Sequence, residues 1–150
     1  MTPGVDTYIT AAEADEIIGS MMLSTDSRRI AWTALTTGDK EVYLLQAAMW
    51  IDSLPLTGRR LDPDQQMQFP RDFQDTVPGA VKQAQALEAA ASIGMIEQMD
   101  KRQQLRAQGI TSFSAGKLSE QYGSGSAYGL FSSQAERLLR RYLLGGVPFA

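Results

Sequence analysis

Four carboxylates crowd one short stretch of the chain, Asp62 and Asp64 followed by Asp72 and Asp75. Carboxylates this close can hold a divalent cation, or can divide acid and base work between them in a pocket. The stretch lacks the full Ca²⁺-loop pattern and its closing Glu, and Asp62 and Asp64 flank Pro63. That is turn and cap chemistry, in which an Asp oxygen bonds the backbone two residues on. Gly123, Gly125 and Gly129 match no phosphate-cradling loop, because no Lys-Ser/Thr follows them. Basic candidates are Arg59-Arg60, Arg102 and Arg106 along the middle of the chain, and Arg137, Arg140 and Arg141 near its end. They suit a solvated face, ion pairs or phosphate contacts. Trp32 and Trp50 sit within helical patterns and read as core residues rather than a platform for stacking bases.

What is missing narrows the chemistry further. The chain of 150 residues contains neither His nor Cys. The commonest general base, the commonest metal ligand, thiolate nucleophiles and disulfides are therefore all absent. The reading is a protein that is not an enzyme and holds no metal or cofactor. Fourteen basic against 17 acidic residues give a net charge of −3. A protein that grips nucleic acid usually carries a cationic surplus to replace phosphate counterions, so any nucleic-acid contact must be local. No apolar run approaches the roughly 18 residues of a membrane span. The opening Met1-Thr2-Pro3-Gly4-Val5-Asp6 lacks the pattern of a signal peptide. The expectation is a chain that stays in the compartment where it is made, without a membrane partner.

The elements that would position these residues are helical. Thr10-Ala11-Ala12-Glu13 is a capping box, and Ala14, Ile17, Ile18, Met21 and Met22 form one stripe behind it. A short helix follows over about 26–35, with Ile30, Ala31, Ala34 and Leu35 inward and Arg28 and Arg29 outward. The next, over about 39–54, is apolar on nearly every side and reads as the central buried helix, stopped by Pro55. Residues 55–78 form a polar loop punctuated by proline, with Met67, Phe69 and Phe73 as apolar anchors. From Pro78 a long helix is expected to about Gln108, with a thin alanine side and Gly109 as its stop. Residues 110–131 alternate weakly and suggest a hairpin and a glycine-rich loop. A second capping box, Ser133-Gln134-Ala135-Glu136, opens a last helix with Leu138, Leu139, Tyr142 and Leu143 inward.

The fold class expected is thus all-α, a bundle of about five helices with a small β-hairpin or extended-loop excursion. One domain spans 1–150: a helical core over 8–108 and 132–144, the hairpin and loop over 110–131, and a tail over 145–150. Phe113, Tyr122, Tyr128, Leu130, Phe131 and Phe149 lie in loop-like or terminal segments. Aromatics so placed either present a partner surface or fold back over the domain as a lid. Phe113, Tyr122, Tyr128 and Phe131, with Val147, Pro148 and Phe149 of the tail, are the candidate interface residues.

The order of these features resembles a known family. Thr7-Tyr8-Ile9-Thr10-Ala11-Ala12-Glu13-Ala14-Asp15 is similar to the start of small tailed-phage head–tail connector (adaptor) proteins, often labelled DnaT-like single-stranded-DNA-binding proteins. The likeness continues through Trp32 and Leu35, then Lys40, Leu44, Leu45, Ala47, Ala48, Ile51 and Asp52. It then takes in Gly58 and Gln66-Met67-Gln68-Phe69-Pro70-Arg71, where the family usually has Trp-Pro-Arg, and Val77-Pro78 with Val81-Lys82-Gln83-Ala84 and Glu88-Ala89-Ala90. It covers about residues 7–91 and returns in the later hairpin and closing helix. Phe69 in place of Trp keeps the anchor and loses its N–H, and the polar extension over 97–108 is long.

The connector resemblance implies a virion protein in the neck of a tailed phage, assembled in the host cytoplasm. Its subunits would form a homo-oligomeric ring, commonly a dodecamer, beneath the portal protein. Such a ring continues the DNA channel, touches double-stranded DNA transiently and docks a tail-side neck or stopper protein. Arg59, Arg60, Arg102 and Arg106 would then face the channel or form ion pairs. A net-acidic subunit suits a channel through which DNA slides, and ring packing needs heterologous, complementary faces. The label carried by the same resemblance implies the alternative, a single-stranded-DNA-binding replication protein. An enzyme relying on carboxylates alone is the third reading, and no pair of residues nominates it.

Overall fold

In the computed structural model, residues 1–95 and 128–144 are described, and among them the chain forms five α-helices and one 3₁₀ turn. These are α1 (Ala11–Met21), α2 (Ser27–Ala34), α3 (Thr37–Asp52), α4 (Gly79–Ala91) and α5 (Ser133–Leu139), with the 3₁₀ turn Arg140–Tyr142 following α5 directly. The all-α expectation holds. Among the described residues β structure is limited to the isolated bridges Pro3–Thr7, Leu56–Leu143 and Arg60–Arg71. The expected hairpin lies largely outside the described residues. No described helix is long and apolar enough to cross a membrane.

Local chemistry sets the boundaries. The Thr10 hydroxyl accepts from the Glu13 N–H while the Glu13 carboxylate accepts from the Thr10 N–H, the complete capping box that opens α1. Asp26 caps α2 through the Arg28 N–H, and Thr36 caps α3 through the Asp39 N–H, which starts α3 two residues before Asp39. Arg28 pairs with Asp26 at 2.9 Å. Arg29, expected to point outward, folds back instead, and its guanidinium donates to the Met22 carbonyl at 2.8 Å, covering the open end of α1.

The central helix is α4, not α3. From Ala84 to Ala91 every residue of α4 is buried, and the helix touches each of the other four. Alanine makes this possible: a helix without bulk on any side can be approached closely from all sides. α3 has one inward face, Leu44, Ala47, Ala48 and Ile51, while Val42 and Met49 are exposed. α2 is also turned from expectation, with Trp32 buried and Ile30 and Ala34 exposed. The Trp32 indole N–H donates to Asp15 at 2.8 Å, which satisfies its one polar atom.

The long helix expected to Gln108 ends at Ala91. Ser92 caps it, its hydroxyl donating to the Ala89 carbonyl, and Gly94 takes the left-handed conformation (φ +79°) that stops a helix. α5 starts one residue earlier than its apparent capping box: Ser132, not Ser133, accepts from the Ala135 N–H at 3.1 Å. The last helix also tightens to 3₁₀ after Leu139 instead of running on to Leu143.

Two buried polar side chains of α4 bind segments that follow no helical pattern. The Gln85 amide nitrogen donates to Thr7 Oγ1 (2.7 Å) and to the Leu44 carbonyl (2.9 Å), and its oxygen accepts from the Tyr8 N–H (3.0 Å). Thr7, Tyr8 and Ile9 are thereby held, buried, in front of α1. The Glu88 carboxylate accepts from the backbone N–H groups of Phe131 (2.9 Å) and Ser132 (2.8 Å), which fixes the lead-in to α5.

Candidate nucleic-acid interface

The loop between α3 and α4 carries the residues best suited to contact a ligand, and Arg71 organises it. Only 5 % exposed, Arg71 donates from Nε to the Thr57 carbonyl (3.0 Å), from one terminal nitrogen to the carbonyl and the side-chain oxygen of Gln68 (3.2 and 2.8 Å), and from the other to the Gly58 carbonyl. A guanidinium is the side chain able to satisfy so many acceptors with one planar fork. The two arms of the loop meet around it, with Leu61 N–H on the Pro70 carbonyl (3.0 Å) and Asp72 N–H on the Arg59 carbonyl (2.7 Å). The Phe-Pro-Arg segment is therefore a structural plug. Phe69 is buried, its peptide bond to Pro70 is cis, and Arg71 is committed to the loop's own carbonyls.

A file of aromatic rings runs from the core to the surface through this loop. Tyr8 meets Phe69 edge-on at 5.9 Å, Phe69 meets Tyr142 edge-on at 5.4 Å, and Tyr142 stacks with Phe73 at 6.4 Å and 24°. Tyr8, Phe69 and Tyr142 are buried. Phe73, expected as an apolar anchor like Met67 and Phe69, is instead 56 % exposed. Its ring rests over Gly58, where an added Cβ would stand 3.0 Å from it and where φ is +74°. Glycine is required there on both counts. Arg59 and Arg60 follow immediately and are exposed. The 3₁₀ turn is fastened to the same loop, with Thr57 N–H on the Tyr142 carbonyl and Leu144 N–H on the Pro55 carbonyl, both 2.7 Å. Exposed Arg140 and Arg141 precede Tyr142 on that turn.

The arrangement combines a half-exposed ring supported from below with arginines beside it, the elements of a stacking and phosphate-binding surface. Sequence reasoning found Arg59 and Arg60 as basic candidates and missed Phe73 as a surface ring. The signal was Gly58, a small residue beside which a ring can lie flat, but only the fold places it under Phe73. Asp62 accepts from the Asp64 N–H at 2.9 Å, a local turn, and among the described residues no group of three or more acidic side chains is placed to hold a metal.

Behind the loop, the Tyr8 hydroxyl donates to the Asp52 carboxylate and accepts from the Phe69 N–H at 3.2 Å. Asp52 also accepts from the Gln68 N–H at 3.4 Å. Burial pushes the Asp52 carboxyl up, against the opposing pull of these donors and of Arg60 and Arg71. Burial and the Asp52 charge push the Tyr8 hydroxyl up as well.

The candidate interface aromatics separate into two groups. Tyr128 and Phe131 are half-buried against the core, Phe131 meeting Trp50 edge-on at 5.2 Å, and Leu130 is buried. This segment folds back over the domain. Phe113, Tyr122, Val147, Pro148 and Phe149, together with Arg102 and Arg106, lie outside the described residues.

These features describe an all-α domain with a supported aromatic and arginine surface on one fastened loop. The family model described as "Putative DnaT-like ssDNA binding protein" matches residues 1–149. The chain belongs to that family. No curated protein and no solved structure matches it. The match corrects the principal expectation: over the whole chain it supports the single-stranded-DNA-binding alternative and gives no support to a head–tail connector. The portal, ring and tail contacts and the virion location rested on the connector reading and are not carried further.

Proposed function

We propose that this protein binds single-stranded DNA and acts as a binding protein, not as an enzyme. The observation that carries the reading is the family match over residues 1–149. The loop supports it physically. Phe73 offers a ring face for a base, held from behind by Tyr142, and Arg59 and Arg60 stand beside it for phosphates. Stacking tolerates any base, and Arg59 and Arg60 on the loop, with Arg140 and Arg141 on the adjoining turn, supply local attraction despite a net charge of −3. An acidic chain with so few phosphate contacts binds with moderate affinity and a shallow salt dependence.

Fluorescence anisotropy with a labelled single-stranded oligonucleotide, titrated over a salt series, tests the reading. Two to three phosphate contacts predict a slope of log K against log salt of about −1.5 to −2, at roughly 0.7 per contact. Absence of binding at low salt overturns the proposal. Equal affinity for duplex and single strand also overturns it, because a stacked duplex offers no free base face.

A further inference from the structure

Beside the aromatic file lies a cavity of about 440 Å³, lined by Val5, Asp6, Met49, Asp52, Gln66 and Met67 among others. Its composition is specific. Met67 is buried beneath it, Met49 (69 % exposed) and Val5 (44 % exposed) form apolar sides, and the Asp52 carboxylate stands in its wall. Asp52 accepts from the Tyr8 hydroxyl and the Gln68 N–H, yet a carboxylate has about four acceptor positions. Among the described residues it forms no ion pair within 4 Å. A half-buried carboxylate with spare acceptor capacity, facing an apolar-sided cavity, complements a flat group that carries an N–H donor on its edge. Asp6 on the same lining reinforces this sign: carboxylates repel phosphate and carbonyl oxygens and attract amines.

We propose that this cavity is a nucleobase pocket that selects cytosine over thymine, with the Asp52 carboxylate accepting from the exocyclic amine. The proposal deepens the single-stranded-DNA reading and rests on it. Cytosine presents an N4 amine, which carboxylates are suited to accept. Thymine places a carbonyl oxygen where cytosine has its amine and flanks its one N–H donor with carbonyl oxygens, so its edge meets Asp52 and Asp6 with largely like polarity. Sulfur and methyl groups of Met49 and Met67 make favourable contact with a flat ring. The flanking phosphate has a partner within electrostatic reach, since Arg60 acts on Asp52 from the adjoining loop. Phe73 would then stack any base, while the cavity discriminates among bases.

The test compares short oligodeoxycytidine with oligodeoxythymidine by anisotropy on the intact protein. The expected result is about tenfold tighter binding of oligodeoxycytidine, consistent with one well-placed acceptor. Asp52→Asn keeps one oxygen for the Tyr8 hydroxyl, gives up the long acceptance from the Gln68 N–H (3.4 Å) and puts a donor where the second oxygen stood, so the preference should collapse to within about twofold while thymidine binding persists. Met49→Trp, at an exposed rim position that does not endanger folding, should block the cavity and remove the preference in the same way. Equal affinity of the unmodified protein for both oligonucleotides overturns the pocket and leaves single-stranded-DNA binding standing. Absence of binding to either overturns the reading on which the pocket rests. A cytosine preference that survives Met49→Trp overturns the assignment to this cavity. Displacement of oligodeoxycytidine by arginine amide, but not by cytidine, would make the cavity a seat for a protein side chain and also overturn the proposal.

Discussion

Raising the pH from about 5 to about 8 should weaken this fold, and Glu88 sets the size of the loss. The side chain is fully buried on α4 and accepts from the N–H groups of Phe131 and Ser132, with no cation paired to it among the described residues. Burial raises its carboxyl from the ordinary 4.5 to about 7, and the two N–H donors offset only part of that. The unfolded chain releases this proton near 4.5 and the folded chain near 7. Between those values the folded state holds a proton that the unfolded state has lost, so stability falls as the pH rises. It is greatest below about 4.5, declines through the interval and levels off above about 7. The interval of 2.5, at about 1.4 kcal/mol per unit, corresponds to a loss of about 3 kcal/mol. That is a large share of the 5–15 kcal/mol typical of a domain. The signal is unusually clean because the chain has no His to titrate in the same window. Asp52, also raised by burial, contributes in the same direction. Urea unfolding at stepped pH values measures the effect. Glu88→Gln removes the titrating group but turns an NH₂, which cannot accept, toward one of the two N–H donors, so it should be less stable than the unmodified protein near pH 5 by about 1–3 kcal/mol and keep that stability unchanged to pH 8. An unchanged pH slope in that variant would refute the reasoning.

Three further outcomes are expected. Phe73→Ala should weaken single-stranded-DNA binding about fivefold to tenfold, since a base loses its stacking face, while urea unfolding shifts by no more than about 1 kcal/mol. Replacing Arg59 and Arg60 together by Ala should reduce the salt slope of binding by about 1.4, roughly 0.7 for each phosphate contact, and an unchanged slope would remove these residues from the interface. Arg71→Lys should cost about 2–3 kcal/mol in urea unfolding, because an ammonium cannot reach the Thr57, Gly58 and Gln68 acceptors at once; a stability equal to the unmodified protein would show that the fork is not what holds the loop.

The helical class and the helix starts were legible because their causes are local. A hydroxyl at Thr10 with Glu13 three residues on makes the same cap wherever it occurs. What periodicity could not rank was which helix lies innermost. α3 carries the bulkier apolar residues, but α4 is central because its alanines admit neighbours on every side, with Gln85 and Glu88 carried inward among them. Polar residues on an alanine-rich helix look like a solvent face in sequence. Their targets, the Tyr8 N–H and the Phe131 and Ser132 N–H groups, lie roughly 40 to 80 residues away. The same limit hid the candidate site. Arg59 and Arg60 announce themselves by charge, whereas Arg71 looks alike in sequence and is consumed by carbonyls of its own loop. The exposure of Phe73 and the burial of Phe69 depend on Tyr142, which arrives from the far end of the chain.

That dependence links the stability of the closing segment to the surface. Phe73 is presented flat because Tyr142 lies behind it, and Tyr142 is placed by the 3₁₀ turn that continues α5. α5 in turn is fixed at its start by the Glu88 carboxylate and at its end by the bonds from Thr57 and Leu144 to the turn and the loop. The carboxylate therefore acts at a distance on the aromatic face without touching it. Ionisation tightens its two hydrogen bonds but leaves a charge without water, and opening the α5 lead-in hydrates that charge, so Phe73 would then lose its support before α1 to α4 lose their packing. A binding loss that precedes global unfolding as the pH rises would carry that signature, and Glu88→Gln should abolish it.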